Sequence, residues 1–167
     1  MFLFLSFGFT SCSDDDGDGG GGSTAAAGTL KATVDGQNFE SASMTTSATI
    51  VEAGGGKSFA VTATDLEGRN LTLQISFGYE GEGTYEIGGD NTVFVVATWV
   101  VIDLNTFQPT TYASPFEDTT VRGSMTITSD DGSNVQGTFE FVAGDGDGSQ
   151  GPINTVNVTN GSFNLDY

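Results

Sequence analysis

Histidine is absent from this 167-residue chain. That removes the commonest general base, the commonest metal ligand and every Ser-His or Cys-His nucleophile pair. There is one cysteine, Cys12, so no disulfide can form within the chain and burial alone must hold the core. Lysine and arginine number 4 against 22 acidic residues, a formal charge of −18. Phosphate recognition requires clustered cations, so nucleic acid is not an expected partner, and neither is direct adsorption to anionic headgroups. Proline occurs only 3 times. No apolar run reaches the roughly 20 residues of a membrane-spanning helix, and no segment carries a helical apolar stripe.

The chain is rich instead in glycine (25) and phenylalanine (13), with many threonines, serines and β-branched apolar residues. Such side chains fit a pleated surface, so the composition favours strands and tight turns. A folded part of roughly 140 residues can bury about two-thirds of the surface of its unfolded chain, enough for one real core.

The first twelve residues, MFLFLSFGFTSC, form an apolar run that ends in small residues and a cysteine. Residues 1–11 read as the remnant of a signal peptide, and a start placed too far downstream accounts for the missing basic residues. Phe9, Thr10 and Ser11 before Cys12 resemble a bacterial lipobox, in which the cysteine is lipidated and becomes the mature N-terminus. Acyl chains contribute about 0.8 kcal/mol per buried methylene, so the lipid would anchor the protein stably. Residues 12–28 then comprise the lipidated cysteine and an acidic Gly/Ser-rich tether. As a flexible coil this tether would reach on the order of 20–25 Å. Asp14, Asp16, Asp18 and Gly19 match the first half of a calcium loop, but Ala25 stands where its bidentate glutamate belongs.

From Leu30 onward the apolar period is two. Phe59, Val61 and Ala63 alternate with polar residues, as do Leu71, Leu73, Ile75 and Phe77. Thr92–Ile102 is apolar on both faces and reads as a strand covered on both sides. Asp35-Gly36 predicts a two-residue hairpin turn that pairs Val34 with Gln37 and Ala32 with Phe39. In the next strong hairpin, a three-residue loop over Asp130–Gly132 would set Ile127 opposite Val135 and Met125 opposite Gly137. Asn160-Gly161 fits either a hairpin turn or a bulge inside one long strand. Long loops are expected over Asn105–Thr120 and Ala143–Pro152. About ten strands without substantial helix predict a single all-β domain over residues 29–167. The architecture expected is an antiparallel β-sandwich, with a small up-and-down barrel as the alternative.

Three motifs carry a resemblance. SDDDGDG after Cys12 is similar to the acidic signals that send Bacteroidota lipoproteins across the outer membrane. LKATVDGQNFESAS and GTFEFVAGDGDG…VNVTNGSFNLDY resemble the opening and closing segments of an uncharacterised all-β domain family found in such lipoproteins. The resemblance implies an outer-membrane, surface-exposed address and an all-β fold. It supplies no catalytic residues.

Candidate sites rest on aromatics and carboxylates. Tyr79, Tyr85 and Tyr112 could stack on a ligand, while Trp99 reads as core. Asp145 and Asp147 in AGDGDGSQG are candidate calcium ligands, in which case calcium would staple a loop and carry no chemistry. Glu80, Glu82 and Glu86 could serve a carboxylate-based glycoside hydrolase only if two of them converged. The reading that follows is a non-catalytic surface lipoprotein without a cofactor, a binding or accessory module for carbohydrate or protein. The alternative to it is a subunit of a surface assembly, in which an exposed edge or terminal strand pairs with a neighbour and deletion of Ser162–Tyr167 would abolish oligomers.

Overall fold

Alternating apolar residues become strands wherever one face can be buried, and eleven segments form strands among the described residues. The computed structural model describes residues 24–89, 95–117, 120–146 and 153–167. In chain order the strands are β1 (Thr29–Val34), β2 (Gln37–Glu40), β3 (Thr46–Ala53), β4 (Gly56–Thr64), β5 (Asn70–Ile75) and β6 (Gly83–Ile87). They continue with β7 (Val95–Asp103), β8 (Gln108–Ser114), β9 (Gly123–Asp130), β10 (Asn134–Gly144) and β11 (Thr155–Asp166). One short 3₁₀ turn, Ser43–Thr45, precedes β3. Among the described residues no helix is long and apolar enough to cross a membrane.

The all-β antiparallel class expected from the sequence is the observed one. All eleven strands belong to a single sheet that curls into a half-barrel around one core. The main path runs β2-β1-β11-β10-β8-β7-β5-β4-β3, and β6 and β9 branch from β10. This departs from a simple meander. The reason lies in β10, which is longer than its neighbours on one edge. It bonds β11 along one side, and β9 and then Ala113 of β8 along the other.

The Asp35-Gly36 hairpin has the expected register, Val34 with Gln37 and Ala32 with Phe39. Three other expectations are corrected. Gln108–Ser114 is strand, not loop, because it pairs in register with β7 from Ala97↔Ser114 to Asp103↔Gln108. Its side chains are mostly polar and exposed, which hides the alternation. The apolar residues of β7 are covered on one face only: Val95, Ala97 and Trp99 are buried, whereas Ile102 is 40% exposed. The β9–β10 hairpin does not turn over Asp130–Gly132, because Asp130 is still in the ladder. Asp130 faces Val135 and Ser129 faces Gln136, after which the register shifts so that Ile127 faces Gly137 and Met125 faces Phe139. A bulge thus restores the parity that the shifted turn, with four residues between Asp130 and Val135, would break. The Asp131 carboxylate holds the tip by accepting from the backbone N–H groups of Ser133 and Asn134 at 2.9 and 2.8 Å.

Asn160-Gly161 is a bulge within the long strand β11. The register on β10 jumps from Phe139↔Gly161 to Phe141↔Val158, and that on β1 jumps at the same place. Asn160 carries the left-handed backbone, at φ 51°. β11 lies between β1 and β10, and Ser162–Asn164 pairs on both sides, while Leu165 and Asp166 pair with β10 alone. Rings lie on glycines across the β10–β11 ladder. Phe139 covers its register partner Gly161, and Phe163 covers Gly137. Upstream of β1, Ala25 is buried and the Gly28 N–H donates to the Asn164 carbonyl, so the fold takes in residues just before Thr29.

Candidate functional site

The aromatics of the core form a continuous row. Tyr85 stacks on Tyr79 at 5.9 Å, Tyr79 on Phe59 at 5.0 Å, and Phe59 meets Phe163 at 6.0 Å. Phe163 in turn lies 6.3 Å from Phe139. The Tyr79 end of this row opens into a groove of 840 Å³ at one end of the half-barrel. Three turns and the residue after β11 build it: the β3–β4 turn, the β5–β6 segment, the β9–β10 turn and Tyr167.

Asp130 stands at its centre because of the β9 bulge. Opposite Val135, it lies on the core-facing side of the ladder at the last rung of β9. There its Oδ2 accepts the Tyr79 hydroxyl at 2.7 Å and its Oδ1 accepts the Tyr167 hydroxyl at 2.6 Å. The Gly132 N–H donates to Oδ1 at 3.1 Å. The Tyr167 bond first, then the Tyr79 bond, hold the Asp130 carboxyl below the usual carboxylate range. The same contacts act on the phenols in the opposite sense. Burial and then Asp130 push Tyr79 well above the ordinary phenol value, and Asp130 pushes Tyr167 up to about 12.

The groove wall on the β5 side is Phe77, a left-handed residue (φ 57°) whose side chain is 62% exposed. The Phe77 N–H donates to Ser58 Oγ at 3.0 Å, and the Tyr79 N–H donates to the Lys57 carbonyl at 3.1 Å. These two bonds turn Phe77 outward and Tyr79 inward. Tyr85 staples the following loop: its hydroxyl accepts from the Glu80 N–H at 3.0 Å and donates to the Gly81 carbonyl at 2.7 Å. Glu52, Glu80, Glu82 and Asp130 line the groove against one lining cation among the described residues, Lys57.

The family described as Domain of unknown function (DUF6252) aligns with residues 26–165. The chain belongs to the DUF6252 family. No curated protein and no solved structure is similar to it at a significant level. The DUF6252 match covers the strands of the half-barrel except the last residue of β11 and includes Asp130, Tyr79 and Phe77, while Tyr167 lies just beyond it.

Within the DUF6252 domain the sequence-predicted residues separate. Tyr79 and Tyr85 come together, as a buried ring and a loop staple. Tyr112 lies elsewhere, in β8 opposite Trp99, half-buried along a second groove of 290 Å³ that Arg69 and Val156 also line. Trp99 is core, edge-on to Phe39 at 5.1 Å. Glu80, Glu82 and Glu86 are exposed. The Asp145 carboxylate accepts from the Asn154 backbone and side-chain amides at 2.8 and 2.7 Å, contacts that lower its pKa. Asp147 and Cys12 lie outside the described residues. Among the described residues, no three His, Cys, Asp or Glu side chains gather as a metal site. Asp130, Tyr167 and Phe77 escaped sequence reasoning as site residues. Tyr167 shared the row of Phe163 and Leu165, but Asp130 reaches the site only through a bulge that alternation does not reveal.

Proposed function

We propose that this protein is a non-catalytic surface lipoprotein, a binding or accessory module held at the outer membrane by lipid on Cys12. Its ligand is a carbohydrate or a surface protein. The apolar run, the small residues before Cys12 and the acidic tether support the anchor. The observation that carries the binding role is the open groove, where the exposed faces of Phe77 and Tyr167 stand beside carboxylates on a rigid sheet.

The experiment uses the lipid-free Cys12→Ser chain on arrays of glycans and of cell-surface protein fragments. Binding that disappears in Phe77→Ala, with the fold intact by circular dichroism, supports the proposal. Binding that survives in that variant, or none on either array, overturns it.

A further inference from the structure

Resting on the binding-module reading, we propose that the groove at Asp130 takes uncharged saccharides, with a sugar ring packed on Phe77 and its hydroxyls received by the Asp130–Tyr79–Tyr167 cluster. Three observations converge on this class.

The first is the aromatic surface. Phe77 is mostly exposed, and Tyr167, which lines the same groove, is 39% exposed. The apolar C–H face of a pyranose matches such a ring, and rigid aromatics supply contact area at little entropic cost. Phe77 has two backbone anchors around it, so the platform is preorganised.

The second is the polar cluster. A carboxylate has roughly four acceptor positions. Tyr79, Tyr167 and the Gly132 N–H occupy three on Asp130, which leaves one for a ligand hydroxyl. Each phenol donates its O–H to Asp130 and keeps lone pairs on its oxygen, so it too can accept from a hydroxyl. The cluster is therefore short of donors and rich in acceptors, which suits a polyol.

The third is charge. Glu52, Glu80 and Glu82 around Asp130 repel uronates, sulfated glycans and phosphates. An arginine side chain would seek a bidentate fork on a carboxylate, but both Asp130 oxygens already hold phenols, and Lys57 stands nearby. Uncharged sugars meet neither obstacle.

Isothermal titration of the Cys12→Ser chain tests this, with oligosaccharides of glucose, xylose and mannose, with polygalacturonate, and with an oligolysine peptide. The expected result is binding of at least one uncharged oligosaccharide that is unchanged between about 50 and 500 mM NaCl. Phe77→Ala should weaken it about tenfold, and Phe77→Tyr should restore it. Thermal melts check the fold of each variant. Preference for polygalacturonate, or saccharide binding indifferent to Phe77→Ala, overturns the proposal. Salt-sensitive binding of oligolysine alone overturns the saccharide class and leaves the binding module standing. No binding of any probe overturns the saccharide class, and the protein-fragment array then decides the binding module.

Discussion

The Asp130 carboxylate accepts the Tyr79 hydroxyl at 2.7 Å, across 51 residues of sequence. It joins the end of β9 to the segment between β5 and β6, and Tyr167 closes the cluster from beyond β11 at 2.6 Å. Asp130→Ala leaves the buried Tyr79 hydroxyl without its acceptor. The expected cost is about 1–3 kcal/mol, read as a lowered midpoint in urea. A midpoint equal to wild type would show that water replaces the carboxylate.

The same cluster sets the pH dependence of stability. Asp130, Asp131, Asp145 and Asp103 all have folded-state pKa values below the ordinary one, through hydrogen bonds from Tyr167, Asn134, Asn154 and Asn105 respectively. A depressed carboxylate stabilises the fold above its unfolded value of about 3.9, and that contribution is lost as pH falls through the folded value. Stability should therefore hold down to about pH 4 and decline below it. Tyr167 acts with the opposite sign. Its folded pKa is raised to about 12, so its contribution is complete below about 10 and is lost between 10 and 12. Thermal melts from acid to alkali check both limbs, and Tyr167→Phe should flatten the alkaline one.

Rings seated on glycines predict a second class of effect. A Cβ on Gly161 would meet the Phe139 ring, so Gly161→Ala should cost about 1–3 kcal/mol by overpacking. Phe139→Leu in the same chain should recover part of that loss, which a double-mutant cycle measures. Additive losses would place the strain elsewhere.

The bulge at Asn160 is testable by its backbone. Asn160→Gly should be tolerated within about 1 kcal/mol, because glycine adopts positive φ freely. Asn160→Val should destabilise by about 1–2 kcal/mol. Equal denaturation midpoints for the two variants would mean that the left-handed turn relaxes.

Removing Ser162–Tyr167 distinguishes an internal strand from an assembly arm. Phe163 and Leu165 are buried and β11 is bonded on both sides, so the truncated chain should lose its cooperative unfolding transition. A folded monomer that merely fails to oligomerise would contradict the internal placement. For the anchor, Cys12→Ser should move the protein from the membrane to the soluble fraction with its melting temperature unchanged.

Much of the fold was legible from local pattern. Period-two alternation marked β4 and β5, and Asp35-Gly36 specified its hairpin to the residue, because a two-residue turn leaves no freedom of register. β8 was hidden, since a strand with exposed polar faces lacks the contrast on which alternation depends. Tyr79 was visible as an aromatic beside acids, but its partner was not. Phe77 read as the end of an alternating row, and only its left-handed backbone turns it outward.

The sequence by itself determined the class of the fold, the strong negative charge, the absence of histidine chemistry and the candidate anchor at Cys12. Those properties depend on composition or on neighbours a few residues apart. Tertiary structure decided that β10 joins two branches of one sheet, that β11 bends at Asn160 without reversing, and that Asp130 meets Tyr79 and Tyr167. Each depends on how a bulge is matched against a distant strand. One inserted residue flips every side chain beyond it to the other face, and only the packed partner strands select where that residue falls.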